Sequence, residues 1–310
     1  MTADTPLRRS AEYWAVLAAV MTVSICYYGV RAAAVYALSA VTAVAADFLC
    51  LFLRRRHYRT VNLTGIASAL VLAMMLPATV PFSIVVLSVF LSVAAGLHLF
   101  GGRRDLLFPP PAIGYLFATI CWPQEVLRFP EPGAAITLFR HTAVLNASFS
   151  RTALMTGTVR EHMHDQLIGA VCGPMGATCI LLLAVALFIL MVRGGVDMFT
   201  VPGYLFTAWA VSLLCGHDPM EMTVLGMSLF TLLFMTGDPA VMPCTGLFAM
   251  LAAALTGALS AYLSAVYSLE YAAVAAVILT CPVWRGIAVC ERWLRNPPAD
   301  PEEEVQAHDA

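Results

Sequence analysis

Residues 232–243 read Leu-Leu-Phe-Met-Thr-Gly-Asp-Pro-Ala-Val-Met-Pro. An apolar run breaks at Thr236-Gly237-Asp238-Pro239, and another apolar run starts at Pro243. A helix facing lipid does not end this way, because hydrocarbon offers no partner to the freed backbone N–H and C=O groups. Such a break belongs against protein or beside a polar cavity. The same pattern, Pro77-Ala78-Thr79-Val80-Pro81, closes a much earlier apolar run. Five runs separate the two breaks, and an odd number reverses direction through a bilayer. This predicts an inverted-topology repeat whose broken elements gather near the midplane and form the functional centre. Chance recurrence is the alternative, since proline commonly follows a helix end.

Working outward from the breaks, ten runs are candidate spans: 13–30, 32–53, 62–77, 81–100, 111–123, 174–192, 200–216, 221–236, 243–266 and 270–290. A helix needs about 20 apolar residues to cross the hydrocarbon, and shorter ones are tolerated where protein covers them. The fifth run is short and begins at Pro109-Pro110-Pro111. The expected fold is an all-α polytopic membrane protein of about ten transmembrane helices, in two inverted five-helix repeats with one large extracytoplasmic loop. Its parts are a first membrane half (1–123), the extracytoplasmic loop (124–173), a second membrane half (174–295) and a disordered cytoplasmic tail (296–310).

Charge sets the orientation. All 17 basic residues are Arg. Twelve fall on the side that holds both termini: Arg8, Arg9, Arg54, Arg55, Arg56, Arg59, Arg103, Arg104, Arg193, Arg285, Arg292 and Arg295. Of the other five, Arg128, Arg140, Arg151 and Arg160 share the long loop, where the positive-inside bias counts least, and Arg31 stands alone. Both termini are therefore expected in the cytoplasm of a prokaryotic cell, with the chain in its inner membrane. Residues 1–10 are too short and polar for a cleavable signal, so the first apolar run is expected to remain as a span.

With 60% hydrophobic residues, 12% charged residues and a mean hydropathy of +0.82, the chain is no ordinary soluble globule. A formal charge of −2 and the lack of a basic, aromatic-laced block give no sign of nucleic-acid binding. The nine cysteines form no Cys-x-x-Cys pair, so no metal site is expected, and within apolar runs they pack as small hydrophobes. His162-Met163-His164-Asp165 supplies no fixed metal geometry, and no phosphate loop, dinucleotide fingerprint or Ser/His/Asp order is present.

Ionisable residues inside spans are costly and are functional candidates for that reason. Asp47, in the second run, either handles a coupling Na+ or H+ or pairs with an arginine of 54–56. His98, near a span end, reads as a proton relay or as an interfacial histidine, and Glu270 suits a helix N-terminus. Small residues at Ala252-Ala253-Ala254, Gly257-Ala258 and Ala261 predict a close helix–helix contact in the ninth span.

The order of these landmarks resembles the RnfD/NqrB family, membrane subunits of Rnf and Nqr electron-transport complexes. Asn62-Leu63-Thr64-Gly65, with Leu70 to Leu76 and Pro77, is similar to the family's S-x-x-T-G-L-L-L-A-x-x-L-P helix. His98-Leu99-Phe100-Gly101-Gly102 followed by Phe108-Pro109-Pro110-Pro111-Ala112 resembles K-x-x-F-G-G-x-G-x-N-x-F-N-P-A, with His98 and Asp105 where the family has Lys and Asn. Cys121-Trp122-Pro123 matches its W-P ending, Gly173-Pro174-Met175-Gly176-Ala177-Thr178 its G-x-x-G-E-T/S, and 235–243 its M-A-T-D-P-V-T-S-P.

The resemblance implies a flavin-carrying subunit that couples electron transfer, on an NADH or ferredoxin side, to Na+ or H+ translocation. It is a subunit of a translocase and is not catalytic alone. Relatives carry FMN esterified to a Thr in an S-G-A-T motif, and the matching position is Thr152, with Arg151 beside it; the alternatives are an ordinary loop threonine there, with Ser148, Thr156 or Thr158 as the nearer equivalent. The motif's Ser, Gly and Ala are Phe149, Ser150 and Arg151 here. Arg151 either obstructs the flavin transferase or pairs with the flavin phosphate. A riboflavin or other second noncovalent flavin is implied among the spans, with Gly101, Gly102, Phe108, Thr236, Asp238 and Pro239 as neighbours. At Asp238, and more so at Gly101 and Gly102, helix-cap and turn chemistry is the competing explanation. Implied partners are the other Rnf-type subunits (A, B, C, E and G equivalents), the flavin transferase and the lipid bilayer. The alternative, motivated by the altered positions 152, 177 and 105, is a flavin-free permease-like or scaffold protein of the same fold.

Overall fold

The first apolar stretch forms one helix, α1 (Pro6–Leu53), folded at a hinge of one residue. Gly29 sits at φ 65° and ψ −151°, a conformation that favours glycine, and it divides α1 into arms 6–28 and 30–53. The turn between the first two spans is therefore tighter than expected, and Arg31 lies already inside the second arm. The computed structural model describes residues 6–55, 63–99, 101–102, 105–134, 136–138, 145–149, 152, 163–219, 227–267 and 269–295.

After α1 come α2 (Leu63–Met75) and α3 (Phe82–Val93), which continues as a π-helical turn over Ala94–Leu99. A two-residue hairpin, β1 (Gly101–Gly102) with β2 (Asp105–Leu106), leads into α4 (Pro110–Cys121) and the single turn α5 (Pro123–Val126). Prolines 110 and 111 sit in the first turn of α4, where a missing N–H costs nothing. A second ladder, β3 (Phe129–Pro130) with β4 (Leu145–Asn146), and the short helix α6 (Met163–Ile168) lie between the membrane halves.

The second half runs α7 (Ile180–Val192), α8 (Thr200–Leu214) and α9 (Ser228–Thr231), which continues as a π turn over Leu232–Thr236. It ends with α10 (Leu247–Tyr267) and α11 (Ala272–Arg295). The protein is thus mostly helical, with two short strand ladders that the all-α expectation did not include.

Four of these helical stretches are long and apolar enough to cross a membrane: 11–53, 82–99, 247–267 and 272–295. Four more, α2, α4, α7 and α8, are apolar but only 12 to 15 residues long. Together they make a polytopic integral membrane protein. The burial of α2 explains how a 13-residue apolar helix is tolerated, since Ala67 through Met75 are all buried. Large apolar side chains such as Phe48, Phe52, Leu181, Phe188, Leu214 and Leu251 face outward instead, as a lipid-facing surface requires.

In the first half, α1 packs on α2 and α3, and α3 packs on α4; in the second, α10 packs on both α8 and α11. The α8–α10 contact is close enough to need glycine. A Cβ on Gly203 would stand 2.5 Å from the Met250 carbonyl oxygen, and one on Gly257 would collide with the Tyr204 carbonyl. The small-residue stripe read from the ninth span therefore meets a backbone. The halves are joined by α11 against α4 and by an Arg285 guanidinium N–H that donates to the Leu106 carbonyl at 2.5 Å.

Candidate functional site

Two breaks flank the core, and each is held by charged side chains from elsewhere in the chain. After α2, the chain 76–81 leaves the helix with carbonyls that lipid could not satisfy. Arg31 supplies the donors: its Nε reaches the Ala78 carbonyl at 2.8 Å, and one terminal nitrogen reaches Thr79 and Val80 at 3.2 and 3.1 Å. The other terminal nitrogen reaches Leu138 of the intervening segment at 2.5 Å. The guanidinium also lies 5.0 Å from the Phe82 ring centroid, a cation–π contact. The segment 173–176 closes over the same break. The Gly176 N–H donates to Met74 at 2.7 Å, and Ser24 Oγ donates to Met175 at 2.7 Å. A Cβ on Gly176 would stand 2.6 Å from that of Met74, so glycine is what lets the two stretches of chain approach.

The second break, 237–246, is held by acids. Asp197 accepts the Gly246 N–H at 3.2 Å and the Phe199 N–H at 2.9 Å. Buried Glu291 accepts the Thr245 hydroxyl at 2.6 Å, the Thr245 N–H at 3.2 Å and the Arg295 guanidinium at 2.9 Å. Asp238 accepts the N–H of Ala240 at 2.9 Å, the two-residue reach of a turn cap. The cap chemistry weighed for Asp238 is therefore present.

Both π turns end at or beside residues singled out from the sequence, His98 and Thr236. Single π turns inside helices are rare and concentrate at functional sites. The first brings together the two ion-pathway candidates: His98 Nε2 lies 2.9 Å from Asp47 Oδ1, with side chains 13% and 3% exposed. Asp47 thus finds a partner on another span, and Arg54, one of its expected arginine partners, donates to the His98 carbonyl. The second leaves the Thr236 hydroxyl fully buried with no hydrogen-bond partner among the described residues.

Beside Thr236, a cavity of about 190 Å³ is lined by Tyr13, Leu190, Val196, Leu233, Asp238 and Pro239 together with two glycines. Ligand pockets run from about 300 Å³ upward, so a flavin ring does not fit here unless the break moves. Gly101 and Gly102 form the hairpin strand opposite Leu106 and Asp105, and Phe108 is half-buried against the core. Thr152 is exposed, and its hydroxyl donates to the Ser148 carbonyl at 3.1 Å, while Arg151 lies outside the described residues. Three residues before Thr152, the Phe149 N–H donates to the Cys172 carbonyl at 2.8 Å.

Sequence reasoning passed over the residues that hold the breaks. Arg31 carried a signal as the lone arginine between two apolar runs on the arginine-poor side. Glu291 carried one as an acid in the final turns of a helix, where the dipole disfavours it. Asp197 carried none beyond its charge.

A family model described as the NQR2, RnfD, RnfE family matches residues 3–284. Among curated proteins, the chain is 33% identical over 104 residues to the D component of the ion-translocating oxidoreductase complex of Pseudomonas aeruginosa (strain LESB58), covering 33% of this chain and 30% of that protein. It is 32% identical over 110 residues to the counterpart of the same name from Pseudomonas paraeruginosa, covering 35% and 32%. For the one from Haemophilus influenzae the figures are 28% over 142 residues, 44% and 38%. The chain spans about a third of the length of the curated relatives it matches.

Proposed function

This chain belongs to the NQR2, RnfD, RnfE family, and on that premise we propose that it is the flavin-carrying membrane subunit of an Rnf-type ion-translocating electron-transport complex. The observation that carries the reading is the family match over 3–284, on a chain whose two breaks stand where the family motifs were read. Electrons from an NADH or ferredoxin side pass through the complex, and Na+ or H+ crosses the bilayer in return. The other subunits (A, B, C, E and G equivalents) and a flavin transferase are its partners. The names of its relatives, subunits of an ion-translocating oxidoreductase complex, support that assignment.

In this reading ten spans form two inverted five-helix repeats in a prokaryotic inner membrane, with both termini cytoplasmic. The element order supports the repeat: each half runs helix, helix, helix, break, helix, helix, with the break gripped near the junction of its first two helices, by Arg31 at the start of the second arm and by Asp197 in the connection. FMN is esterified to Thr152, Arg151 neighbours its phosphate, and Asp47 with His98 handles the coupling ion. A bound flavin supplies one- and two-electron redox chemistry. The chain's own part is to present the Thr152 hydroxyl and to brace its segment through Phe149 and Cys172. A second flavin, riboflavin or another noncovalent one, belongs near Gly101, Gly102 and Phe108; beside Thr236, Asp238 and Pro239 it requires the break to move, because the cavity there is about 190 Å³.

The chain expressed with its native transferase gives a fluorescent band after denaturing electrophoresis, and Thr152→Val abolishes it. A dark wild-type band removes the covalent flavin. A flavin-free scaffold or permease of the same fold is the second reading, favoured by Phe149, Ser150 and Arg151 in place of the family's motif. It requires purified protein without any flavin absorption band.

A further inference from the structure

We propose that Asp47 and His98 form one proton-exchange site, beside Arg54 in the first membrane half. This deepens the ion-handling reading above and rests on it, but its chemistry is independent of the flavin. Asp47 is 2% exposed on the second arm of α1, where an ionised carboxylate is costly unless it is paired or takes a proton. His98 Nε2 stands 2.9 Å from Asp47 Oδ1 and is the more accessible of the two. The π turn over Ala94–Leu99 makes this possible. One extra residue in a turn rotates the remainder of the segment by roughly 100° relative to a continuing α-helix. That rotation brings a residue at the very end of the span against α1.

The neighbouring charges decide which ion the pair takes. On α1, Cys50, Arg54 and Arg55 accompany Asp47, and the Arg54 guanidinium donates to the His98 carbonyl. The facing helix α2 brings no ionisable side chain between Leu63 and Met75, and the hairpin that follows His98 carries Asp105 opposite Gly102. A metal cation of the hard type wants a shell of oxygens. Here one carboxylate oxygen already faces a ring nitrogen. A proton needs no such shell, since a carboxyl and an imidazole hold it between them.

A second observation points inward from the same site. Tyr36, Ser39 and Thr42 are buried on the arm that carries Asp47. Ser39 and Thr42 donate back to the Val35 and Leu38 carbonyls, both at 2.8 Å, and so keep acceptor lone pairs free for a mobile proton donor. Hydroxyls three residues apart share one helix face, so hydroxyls stand among the apolar residues Val35, Ala43 and Ala46 on the buried side of the stretch leading to Asp47.

The test is pH-difference infrared spectroscopy on the purified full chain in nanodiscs, in sodium chloride and again in choline chloride. Wild type shows carboxylate and imidazole bands that change together with pH. Asp47→Asn removes the carboxylate band and moves the midpoint of the imidazole band, and His98→Gln does the converse. Exchange of sodium for choline changes neither. If Asp47→Asn fails to insert, His98→Gln carries the test through the carboxylate band alone. The assignment is overturned if either variant leaves the other group's midpoint in place, or if the midpoints follow the sodium concentration. Loss of flavin fluorescence would sink the electron-carrier reading while leaving these bands unchanged, so the two failures are distinguishable.

Discussion

The Nε of Arg31 donates to the carbonyl of Ala78 at 2.8 Å, tying the hinge region of α1 to the break after α2. Proline at both ends of that break removes N–H groups and stops the helix, which leaves carbonyls to be satisfied inside a membrane protein. A guanidinium is suited to the task because it carries five donors in a fixed fork and never loses its charge. At the other break the polarity is reversed, with the carboxylates of Asp197 and Glu291 gripping N–H and O–H groups.

Arg31→Met retains much of the length of the side chain and removes every donor. Hydrogen bonds to a charged group are each worth about 1.5–3 kcal/mol, and four carbonyls lose one, so a loss of at least about 3 kcal/mol is expected. Arg31→Lys keeps the charge but not the fork and falls between the two. Thermal unfolding of the detergent-purified variants ranks them, and equal melting of Met and wild type would refute the clamp.

Gly257→Ala places a methyl group against the Tyr204 carbonyl, where two helices touch through backbone. Overpacking of this kind costs typically about 1–3 kcal/mol. Gly286→Ala on α11 meets nothing within 4 Å and serves as the control, gaining a little from helix propensity. Chemical unfolding should separate the two variants, and a neutral Gly257→Ala would mean that α8 and α10 are further apart.

Much of this was legible before any coordinates, for identifiable reasons. Proline and glycine punctuate apolar runs, so the breaks at 77–81 and 237–243 were readable, and the small residues around Gly257 announced a close approach. Asp47 and His98 were readable one at a time, because charge at membrane depth is informative by itself. Their pairing was not, since the two lie on different spans and only packing brings them together. The π turns were equally hidden, because one extra residue within an apolar run changes no pattern. The grip of Arg31 falls on main-chain carbonyls, which carry no side-chain signature at all.

Glu291 and Thr245 offer a test of the second break. Thr245→Val and Glu291→Gln each disturb the same contacts, the hydroxyl at 2.6 Å and the N–H at 3.2 Å. Neighbours sharing one network couple by about 0.5–3 kcal/mol, so the double variant is destabilised by less than the sum of the singles. Strict additivity in a double-mutant cycle would show that the break is held by something else.

Cys172 gives a pH-dependent handle on the segment between α6 and α7. Its thiol is pushed up first by burial and then by the nearby Glu131 carboxylate, with Asn146 partly opposing. The thiolate is the reactive form, so alkylation of Cys172 rises over a more alkaline range than that of an ordinary exposed thiol. Glu131→Gln removes one of the raising influences and shifts the profile toward lower pH. Iodoacetamide labelling rates of a protein with Cys172 as its single cysteine, read across pH, check both statements.

Thr236 separates a structural role from a cofactor role at the second break. Its hydroxyl is buried without a partner among the described residues, and such a group destabilises by about 1–3 kcal/mol relative to a satisfied one. Thr236→Val keeps the shape and removes the hydroxyl, so the melting temperature of cofactor-free protein should hold or rise. If the hydroxyl serves a noncovalent flavin, the same variant retains less extractable flavin than wild type after gel filtration, with the covalent fluorescence at Thr152 unchanged. A variant that melts earlier and keeps its flavin would assign the hydroxyl to the fold, with a buried water as its partner, and would remove Thr236 from any cofactor site.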